Sequence, residues 1–558
     1  LKCTMFRYFS NPLVFALLFG VLAYGQLSKV HYIPPLSAVG GNSVPNEQFM
    51  YISTPSSSMV TVTIQPIGQP LASAVVSQVS GTSPWVYKLA TSFGQLFVPS
   101  SNTGTITTDK GYLVEASEDV FTAIRYQAGG GGRAQAGAFV SKGLAALGKE
   151  FRAGGFTNPV APADSNYLTF ASVLATENNT EITFSDLDSN IQIEPSASSL
   201  GSTSFTINLN KNESYIVALR VSDVSEPRPT ENSDGLIGAR IQSTKDIVVN
   251  VGSANGTMGG TTGRDHGVDQ IVGVDKIGKE YIFVQGEPSG GSDWDNAIIV
   301  ASVDGTDVFI NGNATASATL NAGEYLEIDD AEYTVNENLH VRTSKDSYAF
   351  QGISYGGNAN QGMFFVPPLS CTSTNDVDNV PNISEIGGAA FNGYVTVVAQ
   401  VSDTIVFSDQ DNTNIGFTSP TFSGGVVLNG PSTVTGQPNY VTYKLSGLDG
   451  NVSVFSSGEL YLSFFNQNGS ATSGSFYSGF PNPPLVEIDA FIDPTIGNCS
   501  SNSILGIANA STFDSFQWKG YHIVLEMWMN VGTGVSTITA SNVYSKYYVE
   551  GTISCASK

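Results

Sequence analysis

The chain has 558 residues, of which 41% are apolar and 13% charged, so it is long enough for several domains with buried cores. It carries 24 Lys and Arg against 48 Asp and Glu, which gives a net charge of −24 at neutral pH. A field of that sign repels nucleic acid and anionic membrane surfaces, so the composition argues against both as partners.

The N-terminus has the pattern of a signal peptide. Arg7 precedes an apolar run at residues 12–24, and small residues stand before Gln26. We therefore expect residues 1–25 to be removed on export, which predicts a protein that is secreted or on the cell surface, with no membrane span after signal removal. An uncleaved anchor is the alternative, but the run is shorter than the roughly 20 residues that a spanning helix needs.

Four stretches of alternating sequence follow, and we assign them to four β modules at residues 26–147, 148–277, 278–386 and 387–484. The third is the clearest, because β-branched and aromatic runs alternate with polar residues, and Asp304-Gly305 and Asn311-Gly312 separate them. Both dipeptides tolerate the positive φ that tight hairpin turns require. Each stretch predicts a meander of antiparallel strands, with little helix.

The four stretches repeat one another. A pair of alternating runs closes each of them, at residues 111–127, 238–253, 339–354 and, more loosely, 451–467. Asp119, Asp246 and Asp346 share one position in this pattern. Repeats of about a hundred residues each carry a core, unlike solenoid repeats of about 20–50 residues. We predict an all-β fold of tandem antiparallel sandwich-like modules; the alternative is a propeller-like closed arrangement, although propeller blades have only about 40–50 residues.

The last segment, residues 485–558, differs from the modules and follows a proline-rich linker. Trp518 lies between Cys499 and Cys555, which predicts an immunoglobulin-like domain cut short by the end of the sequence. Removal of the signal leaves three cysteines, which allow three single pairs. The module boundaries favour a Cys499–Cys555 disulfide and leave Cys371 unpaired or bonded outside this chain.

Two groups of residues are candidates for ligand binding. Arg264 and His266 lie in a glycine-rich segment after the second module, where an exposed recognition site could form; a solvated loop is the alternative interpretation. Asp293 and Asp295 flank Trp294, and an aromatic ring beside carboxylates can stack on a sugar and accept hydrogen bonds from its hydroxyls. A tryptophan of the core is the alternative there.

Acidic pairs are candidates for calcium, a hard cation that takes 6–8 oxygen ligands. They are Asp186 with Asp188, Asp293 with Asp295, and Asp409 with Asp411. The third pair best matches oxygen ligands on alternate residues, but it lacks the glycine and the glutamate of an EF-hand loop. Turn-forming Asp and Asn explain the same pattern, and no other cofactor is expected.

The sequence contains no convergent catalytic set. Its four histidines are scattered without the spacing of a zinc site, and no GxSxG motif supplies a nucleophile. We therefore expect a non-enzymatic binding protein. The alternative is an extracellular polysaccharide-acting glycoside hydrolase, or its carbohydrate-binding region, because glycosidases use Asp or Glu pairs that linear spacing cannot identify.

Several motifs between residues 148 and 368 carry a family resemblance: GKEY, SDWDNAIIVASVDGTDVFING, TLNAGEYLEI, VRTSKDSYAFQGI and MFFVPPLSC. This stretch resembles the N-terminal domain family of IgGFc-binding proteins. The opening QLSKVHYIPPL and the C-terminal FDSFQW are similar to cell-surface proteins of gliding Bacteroidetes, which are commonly exported by the type IX system. The resemblance implies an adhesin segment of a longer parent chain with further domains. Its implied partners are glycans, mucin-like glycoproteins or other surface proteins, and it implies no catalytic residues.

Overall fold

The computed structural model describes residues 26–552 except 41–43, 130–133, 161–166, 197, 224–225, 259–262, 287–294, 354–361, 371–372, 419, 481–485, 490–503, 508–509, 511–512 and 542. Gly25–Pro481 forms one compact unit, and Asn482–Lys558 belongs to a second. Strands dominate the described residues, which confirms the all-β class. The helical turns found there are all of the 3₁₀ type and three or four residues long, far short of a membrane-spanning helix. They are Leu71–Ser73, Ser100–Asn102, Gly143–Ala146, Thr230–Asn232, Val274–Lys276 and Asp330–Glu332.

The strands of the described residues are numbered in chain order. The first module contains β1 Ser28–Ile33, β2 Leu36–Ala38, β3 Pro45–Ser53, β4 Val60–Pro66, β5 Val75–Val79, β6 Trp85–Ala90, β7 Phe97–Pro99, β8 Ile106–Thr107, β9 Tyr112–Ala128 and β10 Gln135–Val140. The second contains β11 Gly148–Arg152, β12 Leu168–Ala175, β13 Thr180–Ser185, β14 Phe205–Leu209, β15 Ser214–Arg220, β16 Arg240–Gly256 and β17 Asp265–Ile271. The third contains β18 Gly278–Val284, β19 Ala297–Ala301, β20 Thr306–Ile310, β21 Ala318–Leu320, β22 Tyr325–Ile328, β23 Asn338–Ile353 and β24 Gly362–Phe365.

The remaining strands form the fourth module and the second unit. The fourth module contains β25 Asp376–Val380, β26 Glu385–Ile386, β27 Ala389–Ala390, β28 Asn392–Gln400, β29 Ile405–Ser408, β30 Ile415–Gly416, β31 Val427–Thr433, β32 Tyr440–Leu448, β33 Val452–Ser456, β34 Leu460–Asn468 and β35 Ala471–Phe476. The second unit contains β36 Val486–Asp489, β37 Ile504–Ile507, β38 Ser515–His522, β39 Met527–Thr533, β40 Thr537–Thr539 and β41 Tyr544–Thr552.

One long strand organises each of the first three modules. β9, β16 and β23 have 16 or 17 residues, and each pairs with different strands along its two halves. The first half of β16 pairs with β11 and β13, and its second half pairs with β12 and β17. β9 and β23 make the equivalent pairings. The sheet of each module therefore divides at its long strand into two halves, as a sandwich-like module requires.

A bulge marks the point where the long strand passes from one half of the sheet to the other. Gly148 of β11 pairs with Ile247 of β16, and Glu150 pairs with Gln242. Two steps along β11 therefore correspond to five steps along β16. The same offset occurs between β1 and β9 and between β18 and β23. The repeated acidic positions of the sequence lie in this bulge: Asp119, Asp246 and Asp346. An extra stretch of polar residues bends the strand there.

The fourth module follows the same plan with its long strand in two pieces. β33 pairs with β25 and β29, whereas β34 pairs with β28 and β35. Because β25 pairs with β33, the strands of this module begin at Asp376, upstream of the boundary expected at residue 387.

The last strand of each module closes the four modules into a ring; these strands are β10, β17, β24 and β35. We call these the axial strands. β10 lies against β17 and β35, and β24 lies against the same two strands. All four are buried along their length. Each module is sandwich-like, as the sequence predicted. The modules are arranged in a closed ring, which was the alternative prediction, because each of them contributes one buried strand to a shared centre.

Apolar clusters of the described residues span borders between neighbouring modules. One cluster contains Ile124 of the first module and Phe170 of the second. A second contains Val249 of the second module and Phe350 of the third, and another contains Ile299 of the third and Phe465 of the fourth. Burial of this apolar surface favours a closed unit over independent modules.

The second unit contains two three-stranded antiparallel sheets, β36-β37-β40 and β39-β38-β41. Trp518 is fully buried in the cluster that both sheets supply, and its indole N–H donates to the carbonyl of Val535 at 2.9 Å. An immunoglobulin-like topology for this unit stays a prediction. So does the Cys499–Cys555 disulfide, because both cysteines and Cys371 lie outside the described residues.

Candidate functional site

A buried carboxylate of the second module lies at the centre of the ring and receives groups from the other three modules. Asp269 of β17 pairs with Lys142, whose Nζ lies 3.1 Å from Oδ1. The backbone N–H of Phe365 donates to Asp269 Oδ2 at 3.0 Å, and the Ser475 hydroxyl donates to the same oxygen at 3.0 Å. Burial raises the pKa of Asp269 and lowers that of Lys142, and each charge offsets part of the shift of the other. This network holds the axial strands together.

A second buried carboxylate, Asp265, fixes the start of the same axial strand. Its two oxygens accept the backbone N–H groups of Ala136 at 2.7 Å and Thr472 at 2.6 Å, which belong to the first and fourth modules. Burial raises the pKa of Asp265 well above its ordinary value, while these N–H donors lower it. Asp265 therefore ties three modules together near the N-terminal ends of their axial strands.

The connections between the long strand and the axial strand approach one another at this end of the ring. The Ser470 hydroxyl donates to the carbonyl of Ala134 at 3.1 Å, which joins the connections of the fourth and first modules. Gly362 of the third module lies beside Thr472 of the fourth. We call this end of the ring, defined by Ala134, Gly362 and Ser470, the axial face. Of the glycine-rich segment around Arg264, residues 259–262 lie outside the described ones.

His266 lies inside the ring. Its side chain is 1% exposed on β17, and its Nδ1 lies 3.2 Å from the Tyr126 hydroxyl, with the two rings in an edge-to-face contact. The sequence interpretation placed it in an exposed segment, but β17 begins at Asp265, so His266 lies on a strand that is buried along its length. Arg264 precedes the strand, with its guanidinium 5.8 Å from the centroid of the Tyr167 ring. Ligand binding by this pair stays a prediction.

The second candidate group is described only in part. Asp295 is 1% exposed, and its Oδ1 accepts the backbone N–H of Gly286 at 3.3 Å. Asp293 and Trp294 lie outside the described residues. Sugar binding at this position therefore stays a prediction.

The structure places two of the acidic pairs in connections between strands, Asp186 with Asp188 after β13 and Asp409 with Asp411 after β29. Asp409 Oδ1 accepts the backbone N–H of Asp411 at 3.0 Å and both the backbone and the side-chain N–H of Asn412 at 2.8 Å. Asp186 forms an ion pair with Arg152, and Asp188 Oδ1 accepts the backbone N–H of Asn190. Over the part of the chain that the structure describes, no three His, Cys, Asp or Glu side chains converge as metal ligands. Calcium at Asp409 and Asp411 stays a prediction.

Sequence analysis did not identify the buried charges that hold the ring together. Lys142 and Asp269 were visible only as single charges inside apolar runs, AFVSKGLAAL and GVDQIVGV. Arg125 is another, and it is fully buried on β9. A lone charge in a strand that is otherwise apolar is the signal that could have pointed to them, since such charges are almost never buried without a partner.

Arg125 lies at the contact between the fourth and first modules, where the ring closes. Its guanidinium lies 4.2 Å from the centroid of the Tyr51 ring and 4.5 Å from that of Phe464, and it donates to the carbonyl of Asn382 at 2.9 Å. Phe121 and Tyr477 add an edge-to-face contact across the same border. This closing contact thus combines aromatic rings with a buried cation.

A cleft of about 520 Å³ opens on the same closing contact. We call it the seam cleft. β3, β6 and β9 of the first module form one side, and the β26–β27 hairpin of the fourth forms the other. Its lining residues are Asn46, Glu47, Phe49, Lys88, Gln127, Gly387, Gly388 and Ala389.

Two of the solved structures found in comparison align with this chain at low identity and low TM-score. The trypsin-activated alpha-2-macroglobulin of Escherichia coli aligns at 11% identity over 95% of this chain and 47% of its own, with a TM-score of 0.12. The eight N-terminal Ig domains of Down Syndrome Cell Adhesion Molecule align at 9% identity over 94% of this chain and 71% of theirs, with a TM-score of 0.10. Both scores are too low to indicate a shared fold. No curated protein matches the sequence.

The family match begins inside β10 and ends inside β34. The matching family is described as IgGFc binding protein. The match covers residues 137–465, which is more than half of the chain. The matched region contains the second and third modules, most of the fourth, and the Lys142–Asp269 pair at the centre. The chain therefore belongs to the IgGFc binding protein family.

Proposed function

We propose that this chain is the binding segment of an exported, non-enzymatic adhesin, secreted or held at the cell surface. Its membership of a family named for binding supports this function. The ligand is a glycan, a mucin-like glycoprotein or another surface protein. The Fc part of immunoglobulin G, after which the family is named, is one glycoprotein to test.

The observation that carries the proposal is the approach of equivalent connections at the axial face. Ala134, Gly362 and Ser470 come from three different modules and lie within one neighbourhood. Connections carried by a rigid β scaffold are common positions for recognition residues. A ligand that spans this face would contact several modules at once, so each module could contribute weak contacts to one shared interface.

The test is binding of the chain from residue 26 onward to arrays of glycans, mucins and immunoglobulin Fc, with and without calcium. Gly469→Asn probes the axial face, because Gly469 is exposed at φ +59° in the β34–β35 turn, and open space surrounds the position of its missing side chain. Asn tolerates positive φ, so the variant should fold. Gly425→Asn is the matched control, since Gly425 has φ +83° and equally open surroundings in the same module.

We expect the wild-type chain and Gly425→Asn to bind the same array members, and Gly469→Asn to bind them at least about tenfold more weakly. Equal binding by all three would remove the axial face as the site. Release of reducing sugar from a polysaccharide would instead support the glycoside hydrolase alternative.

A further inference from the structure

We propose that the seam cleft is a second binding site, separate from the axial face, and that it takes an uncharged saccharide unit. The cleft volume of about 520 Å³ lies within the range of roughly 300–1,000 Å³ typical of small-molecule sites. Its two sides belong to the first and fourth modules, so the site exists only when the ring is closed.

A buried amide supplies the first polar contact. Gln127 is 5% exposed, and its Nε2 donates to the carbonyl of Ile386 at 2.8 Å, which fixes the orientation of the side chain. Oε1 accepts no hydrogen bond from the described residues, although Gln127 lines the cleft. An acceptor held in place without a donor is suited to a ligand hydroxyl.

The charges of the lining cancel, which favours an uncharged ligand. Glu47 and Lys88 pair across neighbouring strands, with Oε2 and Nζ 2.6 Å apart, and both side chains are partly exposed to the cleft and solvent. The carboxylate accepts hydrogen bonds and the ammonium donates them. A hydroxyl both donates and accepts, so vicinal hydroxyls fit this pair, whereas a phosphate or an ammonium ion would meet one like charge.

An aromatic ring and a glycine turn shape the apolar part. The Phe49 ring lies beneath Gly387, whose φ is +58°, and a Cβ at that position would lie only 1.9 Å from the ring. Only glycine allows the hairpin to approach so closely. The next residue, Gly388, has φ +81° and open space where a side chain would be, so it leaves the mouth of the cleft free. The hairpin covers most of the Phe49 ring, which is 7% exposed, so the ring supplies only a small apolar edge to the cleft.

Binding at this position would strengthen ring closure. A ligand that binds only the closed ring stabilises it by RT ln(1 + [L]/Kd). Arg125 lies two residues before Gln127 on the same strand and makes the neighbouring contact with Asn382. The structure therefore couples occupancy of the cleft to the contact between the first and fourth modules.

The experiment is titration calorimetry of the chain from residue 26 onward with glucose, galactose, N-acetylglucosamine and lactose. Glucose 6-phosphate and glucosamine serve as charged counterparts. Gly388→Asn places a side chain in the mouth at a positive φ that Asn tolerates, and Gly425→Asn again controls for the backbone. Hydrogen exchange of β3 and β34 reports on the closing contact in each variant.

We expect at least one neutral sugar to bind wild type and Gly425→Asn equally, its charged counterpart to bind more weakly, and Gly388→Asn to lose at least about tenfold in affinity. The bound sugar should slow exchange of β3 and β34. Binding that Gly388→Asn leaves unchanged would overturn the site, as would binding of none of the four sugars. If the sugar titrations fail but Gly469→Asn still weakens array binding, the proposal for the axial face stands and the proposal for the seam cleft is wrong.

Discussion

Lys142 Nζ lies 3.1 Å from Asp269 Oδ1, and neither side chain is exposed, although the two residues come from different modules. The pair occupies the centre of the ring, where Phe365 and Ser475 of the other two modules also donate to the carboxylate. A buried ion pair is weak evidence for net stability, but the loss of one partner leaves a charge without compensation. The pair is therefore a sensitive probe of the ring.

Lys142→Met should destabilise the ring unit by about 3–5 kcal/mol, because Asp269 remains buried without its cation. The measurement is the denaturant midpoint of the whole chain, with hydrogen exchange of β10 and β17. The loss should shrink as the pH falls, because protonation removes the buried charge of Asp269, whose pKa burial already raises. Lys149→Met removes an exposed lysine of the same region and should be nearly neutral. Equal effects of the two variants would contradict this role of the pair.

Arg125→Lys should loosen the contact between the first and fourth modules by about 2 kcal/mol. The charge persists, but the planar stack between Tyr51 and Phe464 is lost. Hydrogen exchange should become faster in β3 and β34 and stay unchanged in β16.

Arg342→Lys is the control for this substitution. Its guanidinium lies 4.1 Å from the centroid of the Phe309 ring on the exposed surface of one module. We expect a change there of under about 1 kcal/mol. Unchanged exchange of β3 and β34 in Arg125→Lys would show that the stack does not hold the ring closed.

His31 should make the first module sensitive to acid. Its Nε2 lies 3.0 Å from the Ser28 carbonyl and 2.9 Å from that of Val120, and burial lowers the pKa of His31 from 6.5 to about 4. The unfolded chain binds a proton below pH 6.5 and the folded chain only near pH 4, so stability falls across this window, by about 3 kcal/mol in total.

His31→Gln keeps an N–H donor and removes the titration. The denaturant midpoint of wild type should fall relative to this variant between pH 7 and pH 4. Burial raises the pKa of the nearby Asp119 to about 6, which acts in the opposite direction but is common to both proteins. Parallel pH profiles would show that His31 does not titrate in this way.

Asp409→Ala should destabilise the fourth module by about 1–2 kcal/mol, because three N–H groups lose a charged acceptor. Asp409→Asn keeps an acceptor oxygen and should cost less. The predicted calcium site adds a second test, in which millimolar calcium raises the melting temperature of wild type and an Asp409→Ala, Asp411→Ala double variant abolishes that rise. Identical melting curves in calcium and in chelator would show that Asp409 and Asp411 only stabilise the turn.

The local features of the fold were accessible from the sequence because they depend on neighbouring residues. Alternation of apolar and polar residues predicted the strands, and Asn311-Gly312 marked a turn in which both residues have positive φ. The repeated acidic positions, such as Asp246, marked the bulge of the long strand. The closed ring was only the alternative prediction. The repeats are longer than propeller blades, but this length does not decide whether whole sandwiches close into a ring by contributing one strand each.

The sequence alone thus determined the β class and the turns, since each follows from side chains a few positions apart. Only the tertiary structure decided that Asp269 meets Lys142, that Arg125 stacks between Tyr51 and Phe464, and that His266 is buried. Each of these arrangements includes a contact between different modules, at residues more than a hundred positions apart: Lys142 with Asp269, Arg125 with Phe464 and His266 with Tyr126. Their formation depends on how buried axial strands pack at a common centre, which no local pattern of residues encodes.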